Sequence, residues 1–502
     1  MHTAMDHTRE ARPFPLRSIL AAVALLAAAQ LRGQCANSWQ AIASGTDGEV
    51  RAMTWWDPDG AGWQPEVVVV GGNFSMAGGI FANGAATYDP VLGVWSALGL
   101  PQFAIVNSLA VLANGTLVAA GTTLGASYFQ GLVSWNGSSW TSIVPNTINV
   151  HCLLPLPNGD LIAGGSFQSI GGVAAKGVAR WDGTTWSPLP GLDLITIINP
   201  GIEVRHLARL SNGDLVAGGL FTCSGGQYLA RWDGTTWTSI NPLPTTLILG
   251  VGRMLALPNG GLVIGVSGLG ASGVRHWDGT SWSLLGTAAS ITDVGALTVA
   301  PNGDVIAGGY PTGVARWNGT AWSPVGSGTP TGIQAFAWAR NGDLLVGGHF
   351  AGGVASPNLA RLTTSCPAAV ASFGAGCAGA GGLDVLSPVT LPWIGSTFRA
   401  RAVGMPPQAL VLSVYGLTPL SIPFASVFPQ ALPGCTILMS GDLIDVLLPT
   451  AGAVNTQLPV PNSAAIVGAT FHHYVVPFEV DAALNVTAIT NSNALTGTVG
   501  AF

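Results

Sequence analysis

A degenerate unit recurs along most of this chain at intervals of about 40–50 residues, the period of radial β-repeats. Its clearest copy is Val204 to Trp237. An apolar run ends at Asn212-Gly213, and Asp214-Leu-Val-Ala-Gly-Gly follows. After a variable glycine-rich loop comes Leu229-Ala-Arg231-Trp232, which turns through Asp233-Gly234 to re-enter at Trp237. Asn-Gly and Asp-Gly supply the left-handed backbone of tight hairpins, so the unit predicts four short antiparallel strands, a to d. The Trp-Asp/Asn-Gly mark falls at Trp135, Trp181, Trp232, Trp277 and Trp317, with Tyr88-Asp89 before them and Arg361-Leu362 after.

Seven such units predict an all-β fold, a seven-bladed β-propeller. The last unit lacks a d strand, and Ser38-Trp39 at the other end of the ring matches Trp186-Ser-Pro and Trp237-Thr-Ser. The N-terminal strand is therefore expected to complete the final blade.

With 8% charged residues against 48% hydrophobic, the chain is too apolar for intrinsic disorder. Net charge is −6, and the basic residues, all arginine except Lys176, are scattered, which argues against a nucleic-acid partner. Residues 1–34 read as a signal peptide: Arg9, Arg12 and Arg17, then an apolar stretch from Ile19 to Ala29, with Ala27-Ala28-Ala29 as a cleavage site. Arg32-Gly33-Gln34 before Cys35 is a poor lipoprotein signal. No later apolar run suits a membrane span, so no transmembrane anchoring is expected. The expected location is secreted or cell-surface.

In an exported chain, six cysteines suggest disulfides. Cys35 and Cys366 flank the closing strand and its neighbour, and a bridge there is worth at most roughly 5 kcal/mol in the chain-entropy model. Cys377 and Cys435 would make a second bridge, leaving Cys152 and Cys223 as thiols. The propeller is placed at 35–366, a small-residue linker at 367–382, and a β-sandwich at 383–502, with strands at Phe398–Val403, Leu410–Tyr415, Leu443–Leu448 and Val475–Val480.

Most residues that resemble chemistry have a turn or packing explanation. Asp160, Asp214, Asp304 and Asp343 follow Asn-Gly, and Asp182, Asp233 and Asp278 follow Trp, so turn geometry accounts for these seven of the 23 acids. Arg180, Arg231, Arg316 and Arg361 suit ion pairs with a neighbouring strand, and the paired tryptophans suit packing between blades. Gly268 to Gly273 formally matches G-x-G-x-x-G but precedes no helix. Asp57 and Asp59 read as a plain turn with too few ligands for calcium. His472 and His473 are adjacent in a strand, so they face opposite sides, and Pro477 is expected to interrupt that strand. No metal site or cofactor is expected.

Short a–b and c–d turns share one face of the ring, and variable b–c and d–a loops share the other, where binding residues concentrate. The candidate ligand-binding residues on that face are Tyr128, Phe129, Lys176, Gln227, Tyr228, Tyr310 and His349, with an apolar patch from Leu189 to Glu203.

Gly159 to Phe167 followed by Val178 to Gly183 resembles delta-60-type and kelch-like propeller repeats, and the extracellular propeller of fungal bud-site-selection surface proteins. The resemblance covers Trp39 to about Thr364. The C-terminal part is similar to a module appended to secreted bacterial repeat proteins. The resemblance implies an exported protein of binding or structural type. Asp-Gly-Thr-Thr-Trp is similar to the sialidase Asp-box but lacks its spacer, and the six tyrosines show no copper-oxidase ligand motif. Tectonin-like lectin propellers carry similar Trp-Asn/Asp-Gly-x-x-Trp hairpins.

The expected function is non-catalytic binding of an extracellular protein or glycan. A carbohydrate-binding lectin is one alternative. The other is a polysaccharide-active enzyme, which requires carboxylates among Asp47, Glu49, Asp193, Glu203 and Asp293 to converge at the channel mouth.

Overall fold

The computed structural model describes residues 37–60, 66–90, 92–100, 104–123, 131–144, 149–193, 202–240, 251–266, 273–286, 291–311, 313–326, 330–339, 342–350 and 356–501. The targeting segment, Cys35, Tyr128, Phe129, most of the G-x-G-x-x-G match and the middle of the Leu189–Glu203 patch lie outside them. By contacts the chain divides into two compact units, one of Asn37–Ala300 with Asp304–Thr363, the other containing Pro301–Gly303 and Thr364–Phe502. Strands form both units, with no α-helix among the described residues.

The first unit contains seven four-stranded antiparallel sheets. Their first strands are Glu49–Trp56, Ala104–Val111, Asn149–Pro155, Glu203–Arg209, Val251–Ala256, Ile291–Val299 and Ile333–Trp338, numbered here as sheets one to seven. Each first strand packs on the first strand of the next sheet, and that of sheet seven packs on that of sheet one, which closes a ring. In sheet seven, Asn37–Ala41 lies beside Leu359–Thr364 as the fourth strand. Trp39 Nε1 donates to Val325 O at 3.2 Å, Ile42 N donates to Ser356 Oγ at 2.9 Å, and Arg361 donates to Gln40.

The Gly-Gly repeated in the second strands of five sheets, all but sheets two and five, explains how neighbouring sheets pack so closely. A Cβ on Gly71 would strike Val106 of sheet two, and one on Gly347 would strike Val50 of sheet one. The missing side chain is thus the socket for a β-branched residue of the next sheet. Each filled socket contributes about 1.5–3 kcal/mol for a fully buried valine or isoleucine.

Hairpin chemistry follows the sequence reading. Asp182, Asp233 and Asp278 each accept backbone hydrogen bonds from the two residues that close their turns. These bonds to the charged form hold all three carboxyls well below their ordinary range. The Asp of the first turn pairs with the Arg of the third strand, as Asp160–Arg180, Asp214–Arg231, Asp304–Arg316 and Asp343–Arg361. Ring pairs such as Trp232–Trp237, with centroids 5.4 Å apart, bridge the last hairpin. The indole N–H of the second Trp reaches back to the preceding sheet: Trp140 to Leu98 O, Trp237 to Leu189 O, Trp282 to Ile240 O and Trp322 to Leu285 O.

The second unit has a six-stranded sheet ordered Ala369–Phe373, Ala494–Thr498, Thr470–Val480, Ala409–Gly416 and Leu443–Leu447, with Val486–Ile489 also paired to the third of these. A three-stranded sheet is made of Val385–Pro388, Thr397–Val403 and Ala453–Pro459. Phe398, Ala400 and Ala402 of the smaller sheet share one apolar core with Val411, Phe471, Val475 and Leu495 of the larger.

Two expectations fail here. The stretch 367–382 is no free linker, because Ala369–Phe373 pairs in register with Ala494–Thr498 and Cys377 is bridged to Cys435. Its glycines serve close approach: a Cβ on Gly376 would strike Asp384 O. Nor does Pro477 end its strand. It pairs with Val411 on one side, and on the other it falls between the partner of residues 470–473 and that of 478–480, where no ladder N–H is required.

Cys366 is disulfide-bonded, while Cys35, its expected partner, lies outside the described residues. Cys152 and Cys223 are free thiols. Burial raises both, Cys223 to about 11, so neither is an activated nucleophile.

Candidate functional site at the ring mouth

Every first strand carries an irregularity at the same place, an extra residue between a Val or Ile near its start and the next paired residue, and that of sheet six carries a second one between Ile291 and Asp293. Such a bulge bends the strand and re-aims the extra side chain. A Cβ on the second glycine of the facing strand, Gly72 or Gly165 for example, would strike the carbonyl of the residue that opens the first strand, Glu49 or Asn149. The bulge and the Gly-Gly pair are therefore one device. The extra residues, in ring order, are Arg51, Asn107, His151, Arg205, Gly252, Gly295 and Gln334. All seven are partly buried.

Five of these seven positions carry polar side chains, which bond in two groups around the acids opening the first strands of sheets one and four. Gln334 donates to Glu49, Arg51 Nε donates to Glu49 Oε2 at 2.6 Å, and Arg51 Nη1 donates to Asn107 Oδ1 at 3.0 Å. Glu203 accepts from Arg205 Nη2 at 2.8 Å and lies 3.5 Å from His151 Nε2. His151 also meets Ser166 Oγ at 2.9 Å.

Sheets five and six add no side chain to these groups, because their extra residues are glycines. A cavity of about 360 Å³ opens there, lined by Arg205, His206, Arg253, Asp293, Tyr310 and Gln334 among others. The glycines are obligatory, since a Cβ on Gly295 would strike Ile333 O and one on Gly252 would meet Val294 O at 2.9 Å.

Arg253 Nε donates to Gly295 O at 2.5 Å, which fixes the guanidinium at the cavity. Arg51 and Arg205 each have a glutamate, whereas Arg253 has no carboxylate partner among the described residues. Burial lowers the pKa of Arg253, with a smaller contribution from Arg51, but an arginine remains cationic. Beside it, His206 is held well below its ordinary value, first by burial and then by Arg253, Arg205 and His151. His151 is also lowered by burial, against the attraction of Glu203. The cavity thus presents one cation without an ion-pair partner among the described residues, with Asp293 on the same wall and neutral imidazoles that donate or accept hydrogen bonds.

The predicted site residues divide. Tyr310 is on the cavity wall and 62% exposed. His349 is exposed, and its backbone N–H donates to Gly332 O at 3.1 Å, next to the wall. Lys176 pairs with Asp193 at 2.7 Å, both side chains largely in solvent. Gln227 is paired with Thr222 in the ladder. Tyr228 is buried at positive φ, so it offers no ring to a ligand.

Arg205, His206, Arg253 and Gln334 escaped the sequence reading. Their signal is visible in retrospect as the variable residues following an apolar position that is almost always valine, as in Glu49-Val50-Arg51 and Glu203-Val204-Arg205.

The five acids an enzyme would need are divided among different contacts. Asp47 accepts from the N–H groups of Ser75 and Met76, and Asp193 belongs to a loop ion pair. Glu49 and Glu203 open the first strands of sheets one and four, where they accept from Arg51 and Gln334 and from Arg205, and Asp293 is the third residue of the first strand of sheet six, on the cavity wall. Among the described residues no group of three or more His, Cys, Asp and Glu could hold a metal ion. Of the second tryptophans of the hairpins, Trp95, Trp186 and Trp237 are buried and so offer no ring for stacking, while Trp140, Trp282 and Trp322 are partly buried.

A ring of four-stranded sheets around a ligand-sized mouth defines a β-propeller. No protein-family model and no curated protein matches the chain. Among solved structures it is similar to the extracellular domain of BT3049 from B. thetaiotaomicron, at 10% identity and a TM-score of 0.44, covering 93% of this chain and 58% of that one. It is also similar to YCF48 bound to D1 peptide (17% identity, TM-score 0.42, covering 66% and 98%) and to virginiamycin B lyase from Staphylococcus aureus (13%, 0.43, 66% and 99%). The chain spans 58% of the length of the BT3049 and BT4673 domains. The assignment of the fold rests on the strand pairing itself.

Proposed function

We propose that this chain is a seven-bladed β-propeller with a C-terminal β-sandwich, acting outside the cytoplasm as a non-catalytic binding module. The observation that carries the reading is the cavity of about 360 Å³ at sheets five and six, where the extra residues are glycines and Arg205, Arg253, Asp293, Tyr310 and Gln334 line the opening. The opening faces the side of the variable loops, where a rigid scaffold leaves room for recognition. The formed Cys377–Cys435 bridge supports an oxidising compartment, in line with the export segment read from residues 1–34.

A lectin is the second reading, favoured by the exposed Tyr310 ring beside polar donors at the cavity. A glycan and polysaccharide binding screen on the disulfide-intact protein, with turnover followed in the same wells, tests both. Specific binding without product is expected. Product release would overturn the non-catalytic reading. Absence of any glycan signal would remove the lectin and leave a protein ligand, to be sought by pull-down from an envelope fraction.

A further inference from the structure

We infer that the open sector between sheets five and six receives a small ligand bearing a single carboxylate, held by Arg253, with the rest of the ligand lying toward Tyr310 and Asp293. The inference rests on the binding reading above and adds the class of ligand.

Charge accounting around the mouth carries it. Glu49 balances Arg51 and Glu203 balances Arg205, whereas Arg253 lacks a carboxylate among the described residues. A half-buried cation without an ion-pair partner is stabilised by a bound anion. With Nε committed to Gly295 O, the two Nη groups of Arg253 remain free of protein partners among the described residues. A guanidinium offers its N–H groups as a fork that matches the two oxygens of a carboxylate. Asp293, exposed on the same wall, disfavours a second negative charge, so phosphate dianion and dicarboxylates fit less well. The 360 Å³ cavity is of small-molecule size, within the range of about 300–1,000 Å³ for ligand pockets. Gln334 and the neutral His206 supply polar contacts that carry no charge.

Two sources share this chemistry, a sugar acid and an aliphatic acid, and calorimetric titration of the full chain separates them. The probes are glucuronate, hexanoate, glucose and inorganic phosphate at millimolar concentration. We expect one of the two monocarboxylates to bind, and glucose and phosphate not to. Arg253→Gln should weaken that binding about tenfold or more, as loss of a charge-assisted bidentate contact does. Asp293→Asn alters only an exposed side chain, so it tests the sign of the charge effect even if Arg253→Gln fails to fold. It should tighten binding by a few-fold, and less at high salt. Glucose binding as well as glucuronate, or Asp293→Asn weakening the acid, would overturn the carboxylate assignment while leaving a binding site. Silence from all four probes would also overturn it. The binding reading would then be decided independently by the polysaccharide screen.

Discussion

Asp384 shows how one buried carboxyl makes a whole unit sensitive to pH. It is fully buried, Thr490 Oγ1 donates to its Oδ2 at 2.5 Å, and its Oδ1 has no hydrogen-bond partner. Burial pushes it up to about 7, and Glu479 adds to the rise. The folded unit therefore holds this proton more tightly than the unfolded chain, and stability falls as pH rises from about 4, the unfolded value, through 7. His473 acts in the opposite sense. It stacks on Tyr415 at 4.1 Å, bonds Thr456 Oγ1 and Val414 O, and burial lowers it to about 4. Its contribution is present above pH 6.5 and is lost as pH falls toward 4. Wild type should show a shallow pH dependence from this compensation. Asp384→Asn should gain on wild type steadily between pH 4 and 7, by a few degrees in Tm at the upper end. Equal melting curves for the two proteins across that range would show that Asp384 is not the titrating group. The two histidines were legible as strand residues on opposite faces. Asp384 was not, because no local pattern marks a carboxyl that long-range pairing buries.

Within the elements, the hairpin tryptophans make a sharper comparison. Trp237 Nε1 donates to Leu189 O of the preceding sheet, while the buried Trp186 Nε1 has no partner. Replacement by phenylalanine keeps most of the ring in both positions. Trp237→Phe should lose about 1 kcal/mol more than Trp186→Phe in urea unfolding, the worth of one ordinary hydrogen bond plus the stranded carbonyl. If the two variants lose the same amount, the repeated indole bond does not hold adjacent sheets together. Strand order within each sheet was readable because Asn-Gly, Asp-Gly and the apolar runs are local. The bulge was not, since it is defined only by the partner strand's register. The 367–382 misreading has the same origin: glycine and alanine read as slack until a neighbouring edge is found for them.

At the scale of the molecule, closure depends on a strand brought from the opposite end of the ring. Trp39 is buried and bonded to Val325 O, and the chain after it is fixed by Ser356, Pro357 and Asn358. Trp39→Ala should cost about 3–5 kcal/mol, as truncation of a buried aromatic does. It should also expose the region around residues 356–364 to protease, because the closing strand pairs with Leu359–Thr364 as the fourth strand of the last sheet. Retained protease resistance with lowered stability would mean that the ring stays shut without this anchor. The repeat, the turns, the Arg–Asp pairs and the exchange of a strand between the two ends were determined by the sequence alone, since each is a local pattern or an absence within a pattern. The site was decided only in three dimensions. Which bulge residues meet, that two neighbouring ones are glycines, and that Arg253 is left without a counter-ion all depend on sheets distant in sequence becoming neighbours around one centre.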